Sequence, residues 1–379
     1  MNLQQFIAGS IVKQPTGYKS FIPNEINHTF TWEEPDLNIL LEKATLQLGA
    51  LNSFSQFVPD ISLFIRMHIV KEATLSSRIE GTQTNIEEAL VRKAEVNPEK
   101  RNDWQEVNNY IKAMDYAIDR MERLPLSSRL LKESHAILLE GVRGEHKLPG
   151  QFRSSQNWIG GASINDAVFV PPPHHLVDPL MGDLEKFIHS KEVAVPHLVK
   201  IAIAHYQFET IHPFLDGNGR IGRLMITLYL MSTGIIGKPI LYLSDFFEKH
   251  KALYYDNLSG VRRNNDLTQW LRFFLEAVAQ TCAIAAKSLR QIMQLRQDCE
   301  GIRIISLGKK VPNAKKLLDH LYTQPVVNAQ DIGELLGVSQ VTAYKIIDDF
   351  IKAGILHETK GFKRNRFFLF KEYLEIFHK

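Results

Sequence analysis

The stretch His212-Pro213-Phe214-Leu215-Asp216-Gly217-Asn218-Gly219-Arg220-Ile221-Gly222-Arg223 decides how this chain reads. A helical pattern from His197 to Glu209 leads into it and ends near Thr210. A new helix begins near Gly219, with Ile221, Leu224, Met225 and Leu228 on its apolar face. The loop between them is expected to deliver successive backbone N–H groups to a helix N-terminus, which favours an anion. Arg220 and Arg223 are three residues apart and share one face of the first turn. Two guanidinium groups beside a helix start suit a polyphosphate. Asp216 is an oxygen ligand close by, and a carboxylate plus phosphate oxygens is how Mg²⁺ is commonly held. His212 stands just outside the loop. A histidine with an unperturbed pKa of ~6.5 is mostly neutral at pH 7 and can accept a proton from a hydroxyl. Taken singly, each residue reads as an ordinary surface arginine or satisfied histidine. Taken together, His-Pro-Phe, Gly-Asn-Gly-Arg and the last Arg fix eight positions. A chance match is on the order of one in 20 to the eighth power, far rarer than a lone G-x-G-x-x-G.

Around this stretch the chain reads as mainly α. It has 379 residues, 44% hydrophobic and 23% charged, which excludes wholesale disorder and permits two or three domains. Its two cysteines, Cys282 and Cys299, exclude a disulfide scaffold or cysteine-rich zinc module and suggest a reducing compartment. A net charge of +3 does not by itself argue for nucleic acid. No leader-like segment and no long apolar span is read, so a cytoplasmic protein without a membrane partner is expected.

The first 35 residues, punctuated by Pro15, Gly17, Pro23 and Pro35, are expected to be irregular. Helices are expected from Asp36 onward and from Ile61 to Glu80, closed by Gly81. Another starts at the Asn85/Glu88 capping box. Further helices follow over Asp103–Arg123, Ser128–Leu139, Leu176–His189, Arg220–Met231, His250–Ser259 and Leu267–Met293. Between Pro149 and Pro173 two β-prone runs, Asn157–Ile159 and Ala167–Val170, predict a β-hairpin. Residues 296–310 read as a linker. Beyond it, helix, turn, helix and two strands over residues 311–379 resemble a winged helix-turn-helix domain. That module has ten Lys+Arg against eight Asp+Glu, a weak basic footprint for DNA. Ser339, Gln340, Thr342, Tyr344 and Lys345 would begin its recognition helix, and Lys360, Lys363, Arg364 and Arg366 its basic wing. DNA and protein partners both remain open for it.

The 212–223 stretch resembles the Fic (filamentation induced by cAMP) family, whose motif HPFx[DE]GNGRxxR it matches in full. The resemblance implies a Fic-type helical core over about residues 101–295, with a β-hairpin flap. It implies transfer of AMP from ATP to a hydroxyl side chain of a target protein, a protein adenylyltransferase activity. By position, it makes His212 the general base and Asp216 the Mg²⁺ ligand. Gly217, Asn218 and Gly219 become the anion hole, with Arg220 and Arg223 as phosphate-binding arginines. Ser76-Ser77-Arg78-Ile79-Glu80-Gly81 resembles the family's inhibitory motif [ST]xxxE[GN], here ahead of the core as in class II. Residues 1–100 would then be a helical region holding an inhibitory helix at about 61–81. Glu80 would pair with Arg223 and displace the γ-phosphate, with a Coulomb attraction of ~4 kcal/mol at 4 Å in a dielectric of about 20, before desolvation. The hairpin resembles the flap that docks the target, through Asn157, Trp158, Ile159, Val168, Phe169 and Val170. Tyr254, Tyr255 and Asn257 fall where Fic proteins often place adenine contacts. The target would carry a Ser, Thr or Tyr hydroxyl. Self-modification and a homodimer fit the reading. The alternatives are a nucleotide-sensing winged-helix transcriptional regulator and a Fic enzyme that also removes AMP.

Overall fold

The computed structural model describes residues 3–32, 34–58, 60–359 and 366–378. Strands β1 (Gly9–Lys13) and β2 (Lys19–Pro23) come first. They are followed by α1 (Pro35–Phe57), α2 (Ile61–Ile79), α3 (Ile86–Leu90), α4 (Arg101–Arg120) and α5 (Ser128–Leu138). Then come α6 (Val177–His189), α7 (His197–Ile211), α8 (Asn218–Ser232), α9 (Ser244–Lys249), α10 (Lys251–Asn264) and α11 (Leu267–Asp298). The chain closes with α12 (Val311–Thr323), β3 (Val326–Asn328), α13 (Ala329–Leu336), α14 (Gln340–Lys352), β4 (His357–Thr359), β5 (Phe367–Leu369) and α15 (Lys371–His378). Two compact units divide it: residues 1–49 with 109–282, and residues 50–108 with 283–379. The expected domain boundaries are sequential, whereas these units are each built from two segments.

The first unit is built on α7 and α8. Both are buried on nearly every face, the pattern of helices enclosed by a core. Gly222 lets them approach: a Cβ there would stand 2.3 Å from Glu209 Oε1 and 3.0 Å from the Phe208 ring. His205 from α7, Phe247, Tyr254 and Trp270 stack into one buried cluster beside them. The Trp270 indole N–H donates to the Ala202 carbonyl at 2.9 Å. The N-terminal segment is ordered, contrary to expectation. β1 and β2 pair antiparallel around a turn that needs Gly17 at φ +98. The Asp183 carboxylate accepts the Ile26 N–H at 2.7 Å, and Gln207 donates to the Asn24 carbonyl at 2.9 Å. These long-range bonds lie outside any local periodicity, so the short apolar runs alone did not announce the order.

The second unit surrounds α2. The Phe64 ring meets Tyr322 of α12 edge-on at 5.3 Å, and His68 meets Phe377 of α15 at 5.1 Å. Arg296 bonds Asp60 at 3.1 Å and Glu300 at 2.7 Å. The capping box at the start of α3 is present, with Asn85 accepting from the Glu88 N–H and Glu88 from the Asn85 N–H. Residues 296–310 are not an open linker. They hold a π-helical turn, Cys299–Arg303, and a 3-10 stretch, Ile305–Lys310, and Arg303 bonds Asp298, Glu372 and the Gly354 carbonyl. Polar side chains with partners at long range replace the missing periodicity. α12, α13 and α14 follow in the order expected of a helix-turn-helix. Gly337 closes α13 at φ +65, and Ser339 caps α14. A short strand unseen in the sequence, β3, joins a sheet of order β3-β5-β4. Lys360, Lys363 and Arg364 lie outside the described residues.

The Phe64 ring is fully buried. Phe64→Ala should therefore lower the stability of the second unit by about 3–5 kcal/mol. Urea unfolding followed by circular dichroism checks this, and a loss under about 1 kcal/mol would show that the ring is not a core anchor.

Candidate active site

The loop between α7 and α8 is bent by His212 itself, the C-cap of α7, at φ 50 and ψ 61. A left-handed conformation is uncommon for a residue with a Cβ and persists only where its surroundings hold it. Here the hold comes from Arg153, a buried arginine. Its Nε donates to the His212 carbonyl at 3.0 Å, Nη2 reaches the Ile211 and Pro172 carbonyls, and its backbone N–H donates to the Pro213 carbonyl at 2.8 Å. Burial pushes its pKa down to about 10, which leaves it charged at neutral pH. Placed at the C-terminus of α7, that charge also meets the negative end of the helix dipole.

Further along, Phe214 is fully buried and stacks on His135, with centroids 3.8 Å apart and planes at 12°. The Asn218 side chain bonds Phe214 twice: Oδ1 accepts its N–H and Nδ2 donates to its carbonyl, both at 2.8 Å. Asn157 Nδ2 donates to the same carbonyl at 3.0 Å. His135 accepts the Gly150 N–H at Nδ1, so its proton sits on Nε2 and is donated to the Asp216 carbonyl at 2.9 Å. Burial, joined by the nearby Arg220 cation and opposed by the Asp216 carbonyl, pushes the His135 pKa down to about 4. The ring is therefore a neutral clamp.

With these carbonyls held, the helix start is presented. Gly217 is the N-cap of α8 at φ 78, and a Cβ there would press on Leu138 and His135 at 3.1 and 3.4 Å. Ile221 N–H is the first to bond within the helix, to the Gly217 carbonyl at 3.1 Å. The N–H groups of Asn218, Gly219 and Arg220 precede that ladder. Arg220 and Arg223 are both buried, at 3% exposure each. Asp216 Oδ1 accepts the Gly217 N–H at 2.6 Å and faces Arg220 Nη2 at 3.5 Å. Its Oδ2 has no hydrogen bond among the described residues, and the side chain is 43% exposed.

The structure thus brings His212, Asp216, Gly217, Asn218, Gly219, Arg220 and Arg223 into one turn. Asn157 belongs beside them. It refines one expectation, because the Asn218 side chain holds the loop and only its backbone N–H is left for an anion. The flap differs more. A single bridge, Ile159 with Phe169, stands where two strands are expected. Gly160 and Gly161 turn the chain at positive φ, and the Asp166 carboxylate accepts the Ala162 and Ser163 N–H groups, which closes a loop instead of a ladder. Trp158, Ile159 and Val168 are exposed, whereas Val170 is buried and its carbonyl accepts the Phe21 N–H of β2 at 2.9 Å. The Arg262 guanidinium lies 3.9 Å over the Phe169 ring, anchoring the flap base. Tyr254 is a core residue, which corrects its expected adenine role. It is 1% exposed, and its hydroxyl bonds His205 Nε2 at 2.9 Å. Tyr255 is exposed, and the Asn257 amide donates to the Leu253 carbonyl. Sequence reasoning found no role for Arg153 and missed His135. Both act through backbone carbonyls far along the chain, and spacing carries no trace of such bonds.

Residues 39–119 match the model described as the Fic/DOC family N-terminal region, and residues 125–230 match that of the Fic/DOC family. The chain carries a Fic/DOC-family domain with the family's N-terminal region ahead of it. Among its relatives, protein adenylyltransferase Fic of Aedes aegypti is 35% identical over 133 residues, and that of Culex quinquefasciatus 32%. Each alignment covers 35% of this chain and 24% of the relative, so the chain spans about a quarter of the length of the curated relatives it matches. Among solved structures, a Fic family protein from Desulfovibrio desulfuricans aligns over 90% of this chain and 98% of its own, at 20% identity and TM-score 0.56. Fic-1 of C. elegans aligns over 69% and 75%, at 20% identity and TM-score 0.55. These likenesses concern the fold.

His135 gives the first unit an acid sensitivity. Its pKa is depressed on folding, so the unfolded chain binds more protons between the ordinary value and about 4. Its share of stability is complete above pH ~6.5 and is lost as the pH falls toward 4. The whole loss amounts to a few kcal/mol, at about 1.4 kcal/mol for each tenfold drop in proton affinity. His135→Phe should be less stable than wild type at pH 7.5, yet lose less on acidification. Urea unfolding at pH 7.5, 5.5 and 4.5 decides; equal losses in the two proteins would refute the neutral clamp.

Proposed function

We propose that this chain transfers AMP from ATP to a Ser, Thr or Tyr hydroxyl of a protein target. The observation that supports it best is the single turn joining His212, the α8 N-terminus, Asp216 and two buried arginines. Two guanidinium groups against a helix start are complementary to a polyphosphate. In this reading the target hydroxyl oxygen attacks the α-phosphorus while His212 accepts its proton. The bond from the α-phosphorus to the bridging oxygen breaks, and pyrophosphate leaves. The N–H groups of Asn218, Gly219 and Arg220, with the Arg220 and Arg223 side chains, stabilise charge on the phosphates. Asp216 would hold Mg²⁺, and its Oδ2, without a hydrogen bond among the described residues, fits a single carboxylate ligand. When bound, Mg²⁺ neutralises phosphate charge. The exposed flap residues Trp158, Ile159 and Val168 would receive the target backbone.

Regulation is part of the proposal. Ser76 is buried in α2, and Glu80 is the C-cap of that helix before Gly81 at φ +105. Glu80 is proposed to suppress transfer by competing for Arg223. A homodimer, self-modification and a cytoplasmic setting belong to the same reading; both cysteines are buried as free thiols, and no helix among the described residues is long and apolar enough to cross a membrane. For the C-terminal module, protein recognition is favoured over DNA. Arg366 is engaged by Glu358 in two bonds of 2.6 and 2.7 Å, and Lys310 by Asp349 at 2.6 Å, which removes two cations from a phosphate-binding face.

The test is intact-protein mass spectrometry after incubation with ATP and Mg²⁺, alone and with lysate proteins. Glu80→Gly should give about tenfold or more AMP adduct than wild type, each factor of ten corresponding to ~1.4 kcal/mol of released inhibition. The double variant Glu80→Gly, His212→Ala should give none. Glu80→Gly equal to wild type would remove the brake from the proposal. No adduct on any protein, despite ATP binding, would replace the transferase with a nucleotide-sensing regulator.

A further inference from the structure

A cavity lies in the first unit, away from the turn between α7 and α8. It is a cleft of about 690 Å³ lined from the ends of α6 and α8, the start of α7 and the 121–126 segment. α8 begins at the catalytic loop, and Tyr229 at the cleft is eleven residues on, about 16 Å along the axis. The volume is that of a small-molecule site.

The floor of the cleft is charged. Lys200 is 5% exposed, and among the described residues no carboxylate pairs with it. Its ammonium donates one bond, 2.7 Å, to the carbonyl of Ser190, the C-cap of α6. The negative end of that helix offsets about half a charge. The Phe187 ring lies 5.6 Å from the ammonium, and two of its three N–H groups make no hydrogen bond among the described residues. Burial lowers the Lys200 pKa, the mark of a cation short of compensation.

Several polar groups around it are already engaged. His189 Nε2 is bonded to the Leu126 carbonyl at 2.6 Å, His197 Nδ1 to the Tyr229 hydroxyl at 2.8 Å, and the Ser232 and Thr233 hydroxyls to carbonyls of α8. Among the described residues no Asp or Glu lines the cleft, and Lys191 adds a second cation to its lining. The lining also includes the apolar Met121, Leu124, Val193 and Val195. A buried cation without an acid partner, in a lining that also holds apolar side chains, is complementary to one kind of ligand. We propose that this cleft binds an amphipathic organic anion, a single carboxylate or phosphate on an apolar body, with Lys200 as the anion contact. The site is independent of the AMP-transfer reading, and loss of one leaves the other standing.

The test uses the full chain and four probes with one apolar body: octanoate, octyl phosphate, octylamine and octanol, titrated by calorimetry below their aggregation limits. Both anions should bind at least about tenfold more tightly than octylamine, the worth of one charge-assisted hydrogen bond. Lys200→Met should abolish that preference and leave octanol unchanged. Thr233→Trp, an exposed position on the cleft wall, should block all four by filling it. The second variant decides if Lys200→Met does not fold, as read from its thermal unfolding. Octylamine binding as well as the anions, no saturable binding of either anion, or anion affinity unchanged in a folded variant would overturn the proposal.

Discussion

A loop that is to offer N–H groups to an anion must first hide its carbonyls. In this protein the carbonyls of Ile211, His212, Pro213, Phe214 and Asp216 are all taken by buried donors from Arg153, Asn157, Asn218 and His135. These bonds fix the course of the loop that leads into the N-terminus of α8, so the turn is held from behind. Those donors sit on α5, at the base of the flap and on α8 itself, and the positions of these elements converge on this requirement.

Close packing supplies the rest. Gly222 allows α8 to meet α7 near Glu209, which places the first turn of α8 against the end of α7. Arg220 and Arg223 are thereby buried beside a helix N-terminus, a region of positive potential. Two guanidinium groups beside that helix start add to its positive potential. The neutral state of His135 belongs to the same balance of charge, since a protonated ring would add a third cation next to Arg220.

Much of this was legible in the sequence. The 212–223 string carried the site, because the chemistry of anion binding demands fixed residue types at fixed spacing on adjoining loop and helix. Helix periods showed the main-α class, and the Asn85/Glu88 cap and the Gly81 and Gly337 stops fell where local rules put them. The N-terminal hairpin was harder. β1 is largely exposed, so its alternation is weak, and only the Pro-Thr-Gly turn at residues 15–17 signalled it. Tyr254 shows the opposite failure: an aromatic pair on one helix looks ligand-like until burial separates a core ring from an exposed one.

By itself, the sequence determined most of the helices and the chemical inventory of the 212–223 turn, since capping, glycine geometry and motif spacing act within a few residues. Only the tertiary structure decided which groups hold that turn in place. It gave Arg153 and His135 their roles, turned Asn218 inward, tied residues 296–310 down through the ion pairs of Arg296 and Arg303, and left Lys200 buried without an acid among the described residues. Each is a contact between residues distant along the chain. Their energy comes from burial and from matching donors to carbonyls, quantities that exist only once the helices have packed.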